Sequence, residues 1–557
     1  MASSLVYYVA FATTVLIITY RLGKIGCRLA GYPPGPPTLP SHREPPPDAE
    51  GEEPLAVPEM GRGVRPRHSL ILGTQVMIVL SSDQAIKDLL DKRSAIYSSR
   101  PGMYLGNIVS GGFRVLLMEY GETWRAIRGL MHNGLNIKAA RAYVPYQDLE
   151  NKAMLLGFLE DPGSFVNHIK RYTNSLTTQD GLRFPDHEYP RPEGFEKFSE
   201  VFRSPAAAIL DGFPVLRHLP DFLLPIRRYS KELHKKEYDL FVGHYLDTKK
   251  RVMEGTAKPC FCVDLVRAQE KQGFSDGIAG YSSGSLLEAG SDTTAATLVG
   301  FVQALLIFPD VVAAAQAEID RVCGPDRPPD LNDLPDMPYI RGCMKESMRW
   351  MPTDILGVPH AVIRDDEYMG YTIPKGRRSH VECLVRRRQT APTYYPSLPR
   401  LCHGAVAHDP NRHPDPSRFD PTRWAHDAQT SAEAAKNTDA TQRDHFVFGA
   451  GRRLCQGMHI ADRSLFLAMA RLLWAFDFRR PVDAATGKEM VPDMADLTEG
   501  LFVMPRSFRA VITPRSDEKA RRVREEWEEV AGLLDEEMQW KMVPEGLVWR
   551  DYEPTEV

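Results

Sequence analysis

Charge is absent from Ser4 to Tyr20, 17 residues of largely apolar chain, and Arg21, Lys24 and Arg28 follow it. That length sits at the lower edge of what crosses a bilayer as a helix. Basic residues behind such a run hold its C-terminal side in the cytosol. A cleaved signal peptide is the rival, and the missing basic start and small-residue cleavage site speak against it. Residues 1–31 are therefore expected to be a membrane anchor. Tyr32-Pro33-Pro34-Gly35-Pro36-Pro37 opens a stiff proline-rich hinge over residues 32–40. Farther on, Ser69 to Val79 alternates apolar and branched residues and predicts strands, and Asp83 to Asp91 a helix. Helical periodicity dominates from Asp148 to Met348, and Ser282 to Pro309 is apolar enough for a long buried helix. Tyr368-Met369-Gly370-Tyr371-Thr372-Ile373 reads as short strands and Asp462 to Phe476 as a helix. Asp517 to Trp540 reads as a charged helix with a solvated face, within a tail over 513–557. The pattern is mainly α with small β-sheets, and no internal repeat is evident.

Composition narrows this picture. The 557 residues are 43% apolar and 25% charged, a globular balance in a chain longer than the usual single domain. A net charge of -4 gives no electrostatic case for nucleic acid. Eight cysteines show no CxxC pairing, and Cys260-x-Cys262 is too short for a usual zinc motif. A reducing compartment fits.

Candidate chemistry concentrates in Phe448-Gly449-Ala450-Gly451-Arg452-Arg453-Leu454-Cys455-Gln456-Gly457. Glycines at 449, 451 and 457 permit close backbone approaches that let a loop run flat beneath a porphyrin. Cys455 can then reach a haem iron as its fifth ligand, with loop amides tuning the sulfur and Arg453 facing a propionate. A thiolate pushes electron density onto iron and favours O–O cleavage.

Phe448, Gly451, Arg453, Cys455 and Gly457 match F-x-x-G-x-R-x-C-x-G, so the chain resembles the cytochrome P450 superfamily. Three further motifs agree. Ala289-Gly290-Ser291-Asp292-Thr293-Thr294 resembles the family's kinked distal helix, where Thr293 would hydrogen-bond bound oxygen and Asp292 would relay protons. Glu346-Ser347-Met348-Arg349 resembles ExxR, a buried pair whose third member would be Arg418 in Pro416-Ser417-Arg418-Phe419. Trp124-Arg125-Ala126-Ile127-Arg128 resembles W-x-x-x-R, so Trp124 and Arg128 would hold a propionate with Arg453 and His360. The wording looks most like fungal microsomal members of the O-methylsterigmatocystin oxidoreductase-like group.

The resemblance implies a P450 fold over residues 41–512 and heme b with an axial thiolate. It implies electrons from NADPH through a flavoprotein P450 reductase, with cytochrome b5 as a further donor. A single-pass endoplasmic reticulum protein with its catalytic domain in the cytosol follows, inserting one atom of O2 into an apolar small molecule. Substrate contacts would come from Met103, Tyr104 and Leu105, from Leu286 and Ala289, from residues 355–358, and from Leu501-Phe502. Two other readings compete: a reductase-independent haem-thiolate isomerase, and a haem-binding protein without turnover.

Three stretches, 41–68, 180–193 and 377–404, depart from the family. The first is rich in Pro, Glu and Arg and reads as a linker. Reading frames offset by one nucleotide can spell family-like sequence in each, which points to gene-model or splicing errors. A strand lining the substrate channel is then expected to be lost after Gly376.

Overall fold

The computed structural model describes residues 31–34, 67–72, 74–180, 193–257, 260–354, 357–375, 379–383, 404–498, 501–535 and 541. The expected anchor, most of the hinge, most of the three atypical stretches and the end of the tail lie outside them.

Strands β1 (Arg67–Leu72) and β2 (Gln75–Leu80) form the expected antiparallel pair. Ile78, Val79 and Leu80 are buried. The helices that build the site then follow in chain order: α1 (Tyr104–Ser110), α2 (Glu122–Leu135), α3 (Val144–Glu160), α4 (Phe165–Asp180), α5 (Glu193–Arg203), α6 (Pro225–Met253), α7 (Asp276–Ile307), α8 (Pro309–Cys323) and α9 (Pro338–Trp350). After them come β3 (His360–Ala361), β4 (Asp366–Tyr368), β5 (Tyr371–Ile373) and β6 (Ser379–Cys383). Helix α10 (Met458–Ala475) and the pair β7 (Phe476–Arg479) and β8 (Val511–Pro514) precede the tail helix α11 (Asp517–Ala531).

The strand expected to be missing after Gly376 is present. β6 pairs parallel with β2 and antiparallel with β3, giving the order β1-β2-β6-β3. Ladder bonds use the backbone, so an unfamiliar sequence can fill this position provided it extends. β4 and β5 make the expected hairpin, with Met369 and Gly370 at positive φ in its turn.

Helix α7 is the centre of the molecule. It is apolar on every side and is buried accordingly, against α4, α6, α9 and α10. Among the described residues it is the one helix long and apolar enough to cross a membrane, and 72% of its apolar window lies inside the protein, as a core helix's should. Ser275 caps it by accepting from Ile278 N. The helix is continuous throughout Asp276–Ile307, Gly290-Ser291 included. Ser282, Ser285, Ser291, Thr293 and Thr297 each donate a hydroxyl to the carbonyl four residues back, a bond that favours bending of a helix.

The tail helix carries ion pairs one turn apart, Arg521 with Glu518 and Glu525, and Arg522 with Glu526. It stops at Ala531, with Gly532 at the C-cap, instead of running to Trp540. Its inner face buries Ala520 and Val523.

Candidate active site

The Cys455 loop is shaped by its backbone. Cys455 N donates to Phe448 O at 2.8 Å, closing the loop, and Gly451 N donates to Asp91 Oδ1 at 2.5 Å. Gly449 and Gly451 have φ of 73° and 59°. The constraint at Gly451 comes from behind the loop, because a Cβ there would lie 1.9 Å from Leu90 O. Gly457 differs from expectation. Its φ is −79°, open to any residue, and it contributes an amide to the Cys455 sulfur as α10 begins. Gly451→Ala should cost at least about 1–3 kcal/mol from backbone strain alone, read as a lower unfolding midpoint. An unchanged midpoint would contradict the close approach to Leu90.

Cys455 is exposed, yet protein surrounds it closely enough that burial is the main influence on its thiol and pushes it up. The amides of Gly457 and Met458 and the Arg128 guanidinium pull the other way. The sulfur stays accessible, and the two backbone N–H groups and the guanidinium favour its anion against the burial.

Trp124, 4% exposed, packs with Ile127 in the cluster that Leu286 and Leu287 of α7 join. Two guanidiniums lie over its ring, Arg453 at 4.1 Å and Arg128 at 5.7 Å from the centroid. Arg128 donates to Leu454 O, and Arg453 to Ser98 O at 2.8 Å and Met118 O at 2.7 Å. A third cation, Arg100, joins them. It donates to Leu116 O, Val358 O and Pro359 O, just ahead of His360. His360 itself is half-buried on β3, with Nδ1 2.7 Å from Tyr97 O.

Burial depresses all three arginines, Arg100 to about 9, Arg128 to about 10 and Arg453 to about 8, and for Arg453 repulsion from Arg100 and Arg128 adds to it. A guanidinium surrenders its proton so reluctantly that an anion relieves this stress better than deprotonation does. Asp354 offsets only part of it, at Arg100. Three cations pressed by desolvation beside an accessible sulfur that accepts two backbone N–H groups fit haem, whose iron takes sulfur and whose two propionates need positive partners.

On α7, Ala289 is exposed, with Gly290, Asp292 and Thr293 half-buried beside it. Thr293 Oγ1 donates to Ala289 O at 2.7 Å, and Asp292 is its neighbour. Several expected substrate contacts gather in one apolar cluster: Met103, Leu105 and Leu501 are buried in it, with Tyr104, Val358 and Phe502 packed against it. Residues 355 and 356 lie outside the described residues.

The ExxR pair is buried and bidentate, with Glu346 to Arg349 bonds of 2.6 and 2.8 Å and neither side chain exposed. Its third member is corrected. Arg418 supplies only a carbonyl to Arg349, while its side chain pairs with Asp310 of α8 at 2.5 Å in solvent. Arg423 takes the role, 3.3 Å from Glu346 Oε1, and Trp424 Nε1 donates to Oε2 at 2.9 Å. The pattern Pro-x-Arg-aromatic occurs twice in succession, and the second copy, Pro421-Thr422-Arg423-Trp424, is the one that reaches the glutamate. Arg418→Ala should therefore change stability by less than about 1 kcal/mol, and Arg423→Ala by roughly 3 kcal/mol. Urea midpoints compare them, and a reversed order would restore Arg418.

The cytochrome P450 family model matches residues 59–397 and 400–501. The chain is 55% identical over 552 residues to cytochrome P450 monooxygenase virE of Hypocrea virens, covering 97% of this chain and 96% of that one. It is 50% identical over 563 residues to cytochrome P450 monooxygenase fogE of Aspergillus ruber, covering 99% of each. Its fold is similar to a zebra fish cytochrome P450 structure with abiraterone, at a TM-score of 0.60 and 22% identity over 81% of this chain and 97% of that one. The chain belongs to the cytochrome P450 family and is a haem-thiolate monooxygenase of the fungal type.

Proposed function

We propose that Cys455 would supply the thiolate ligand to the iron of heme b. Trp124, Arg128, Arg453 and Arg100 then hold the propionates beside His360, and Asp292 and Thr293 govern proton delivery on the opposite face. The observation that carries this reading is the accessible Cys455 sulfur, approached by two backbone amides and Arg128. Bound haem supplies oxygen activation, so that one atom of O2 enters the substrate and the other leaves as water. The chain's residues do the rest. The amides of Gly457 and Met458 would favour the ionised sulfur against its burial, the arginines would pair with the propionates, and Thr293 holds a hydroxyl at the helix turn beside Ala289. The Met103, Leu105 and Leu501 cluster excludes water and takes an apolar small molecule, as fungal secondary metabolism or xenobiotic oxidation would provide.

Electrons would come from an NADPH-dependent flavoprotein reductase, with cytochrome b5 as a second donor, at the cytosolic face of the endoplasmic reticulum. Membrane attachment through residues 1–31 is supported by an apolar surface at Val215, Leu219, Phe222 and Leu223, with Phe222 81% exposed. The start of the hinge bonds the hairpin next to it: Pro33 and Pro34 accept from Ser69 of β1, and Thr74 and Gln75 at the turn of that hairpin donate to Gly212 and Asp211, just ahead of that surface in sequence. Stretches 41–68, 180–193 and 377–404 would be gene-model errors, and transcript reads in frame through all three would end that idea.

Reconstitution in lipid vesicles with such a reductase and a panel of apolar small molecules tests the function. NADPH and O2 should disappear together with the appearance of a hydroxylated product. Conversion without NADPH would favour an isomerase, and haem binding without product a non-catalytic protein.

A further inference from the structure

A buried charge cluster lies one turn before the distal acid. Arg114, from the segment between α1 and α2, donates through Nη1 to Glu288 Oε2 of α7 and through Nη2 to Glu237 Oε2 of α6 at 2.8 Å. The side chains are 1%, 10% and 2% exposed for Arg114, Glu288 and Glu237. Phe198 of α5 packs against the guanidinium at 4.0 Å. Glu288 and Asp292 are four apart on α7 and so share a face. Beyond Glu237, Tyr281 OH of α7 lies 3.5 Å from its Oε2 and 3.3 Å from Nδ1 of the half-buried His234 on α6.

One fork is split between two carboxylates, each receiving a single N–H from it, and the second oxygens, Glu237 Oε1 and Glu288 Oε1, accept no hydrogen bond among the described residues. One positive charge cannot offset two buried negative ones, so the pair retains one proton.

We infer that the Glu237–Arg114–Glu288 cluster is a one-proton store that feeds Asp292, making Glu288 a positioning residue for proton delivery to the distal side of the haem. This rests on the role given above to Asp292 and Thr293. Glu288 loses its proton to the Asp292 carboxylate and stays ionised against Arg114. The proton is replaced from the Glu237, Tyr281 and His234 side. Burial pushes both carboxyls up, Glu288 to about 8, with Glu237 and Asp292 adding to the effect at Glu288 and Arg114 opposing it. The store is thus full below that pH and empties as pH rises through it.

Two readouts test this on the haem-loaded full chain. In infrared pH-difference spectra of the resting protein, a protonated carboxyl band should vanish with a midpoint near the value above, and Glu288→Gln should remove that band. In turnover, Glu288→Gln should lower product formed per NADPH on the order of 10-fold, the fall expected of a general acid acting one step away. It should also flatten the alkaline limb of the pH profile and leave the carbon monoxide spectrum unchanged. Where Glu288→Gln fails to fold, Glu237→Gln removes the neighbouring anion and should move the band to lower pH. A band that persists in Glu288→Gln, or stays put in Glu237→Gln, overturns the store. So does a wild-type product yield and pH profile in Glu288→Gln. An intact thiolate-type spectrum in these variants keeps the monooxygenase reading standing whichever way the store is decided.

Discussion

Cys455→Ser is expected to lower monooxygenase turnover roughly 10³-fold or more, about 4 kcal/mol of barrier, while leaving the fold in place. The loop around residue 455 does not depend on sulfur. Its closure is the Cys455 N to Phe448 O bond, and it is tied down by Gly451 to Asp91 and by Arg453 to Ser98 O and Met118 O. Serine can occupy that frame. It lacks the soft, electron-rich donor that drives O–O cleavage, and its hydroxyl is far harder to ionise than a thiol. Turnover per haem, measured beside the unfolding midpoint, separates the two effects. Turnover near the wild-type rate would mean that another group ligates the iron.

The second large effect falls on stability. Glu346→Ala should cost about 3–5 kcal/mol, because it leaves Arg349 buried without its bidentate partner. It also strips the acceptor from Asp420 N, Arg423 Nε and Trp424 Nε1. The carbonyls of Ala407, Pro416 and Arg418 remain for Arg349, but they carry no full negative charge. Against a typical total of about 5–15 kcal/mol, such a loss should show as little soluble, haem-loaded protein and a much lower urea midpoint. Arg349→Lys keeps the charge, loses the planar fork, and should fall between. A Glu346→Ala protein with a wild-type midpoint would contradict the buried network.

Local spacing made much of this site readable in advance. Trp124 and Arg128 sit one helical turn apart on α2, and Arg453 and Cys455 share one loop, so short motifs carry their geometry. Arg100 escaped notice because nothing around Ser99-Arg100-Pro101 marks it. Its partners, Leu116, Val358 and Pro359, are up to 259 positions away. The Arg418 and Arg423 alternatives look alike as sequence, and only the path of the chain between Ser417 and Trp424 distinguishes them. Glycine was legible as permission and not as direction: the close contact at Gly451 is with Leu90, behind the loop. Helix α7 runs continuously through Gly290-Ser291, where the hydroxyls of Ser291 and Thr293 bond carbonyls of the preceding turn. The Arg114 cluster joins three elements across 174 positions and has no spacing to read.

A carbon monoxide difference spectrum of the reduced, haem-loaded protein is the most direct check on sulfur ligation. The strongly red-shifted band of a thiolate opposite carbon monoxide is predicted for the wild type, with its loss in Cys455→Ser. A histidine-type band from folded wild-type protein, or the red-shifted band surviving in the variant, would contradict the assignment of Cys455.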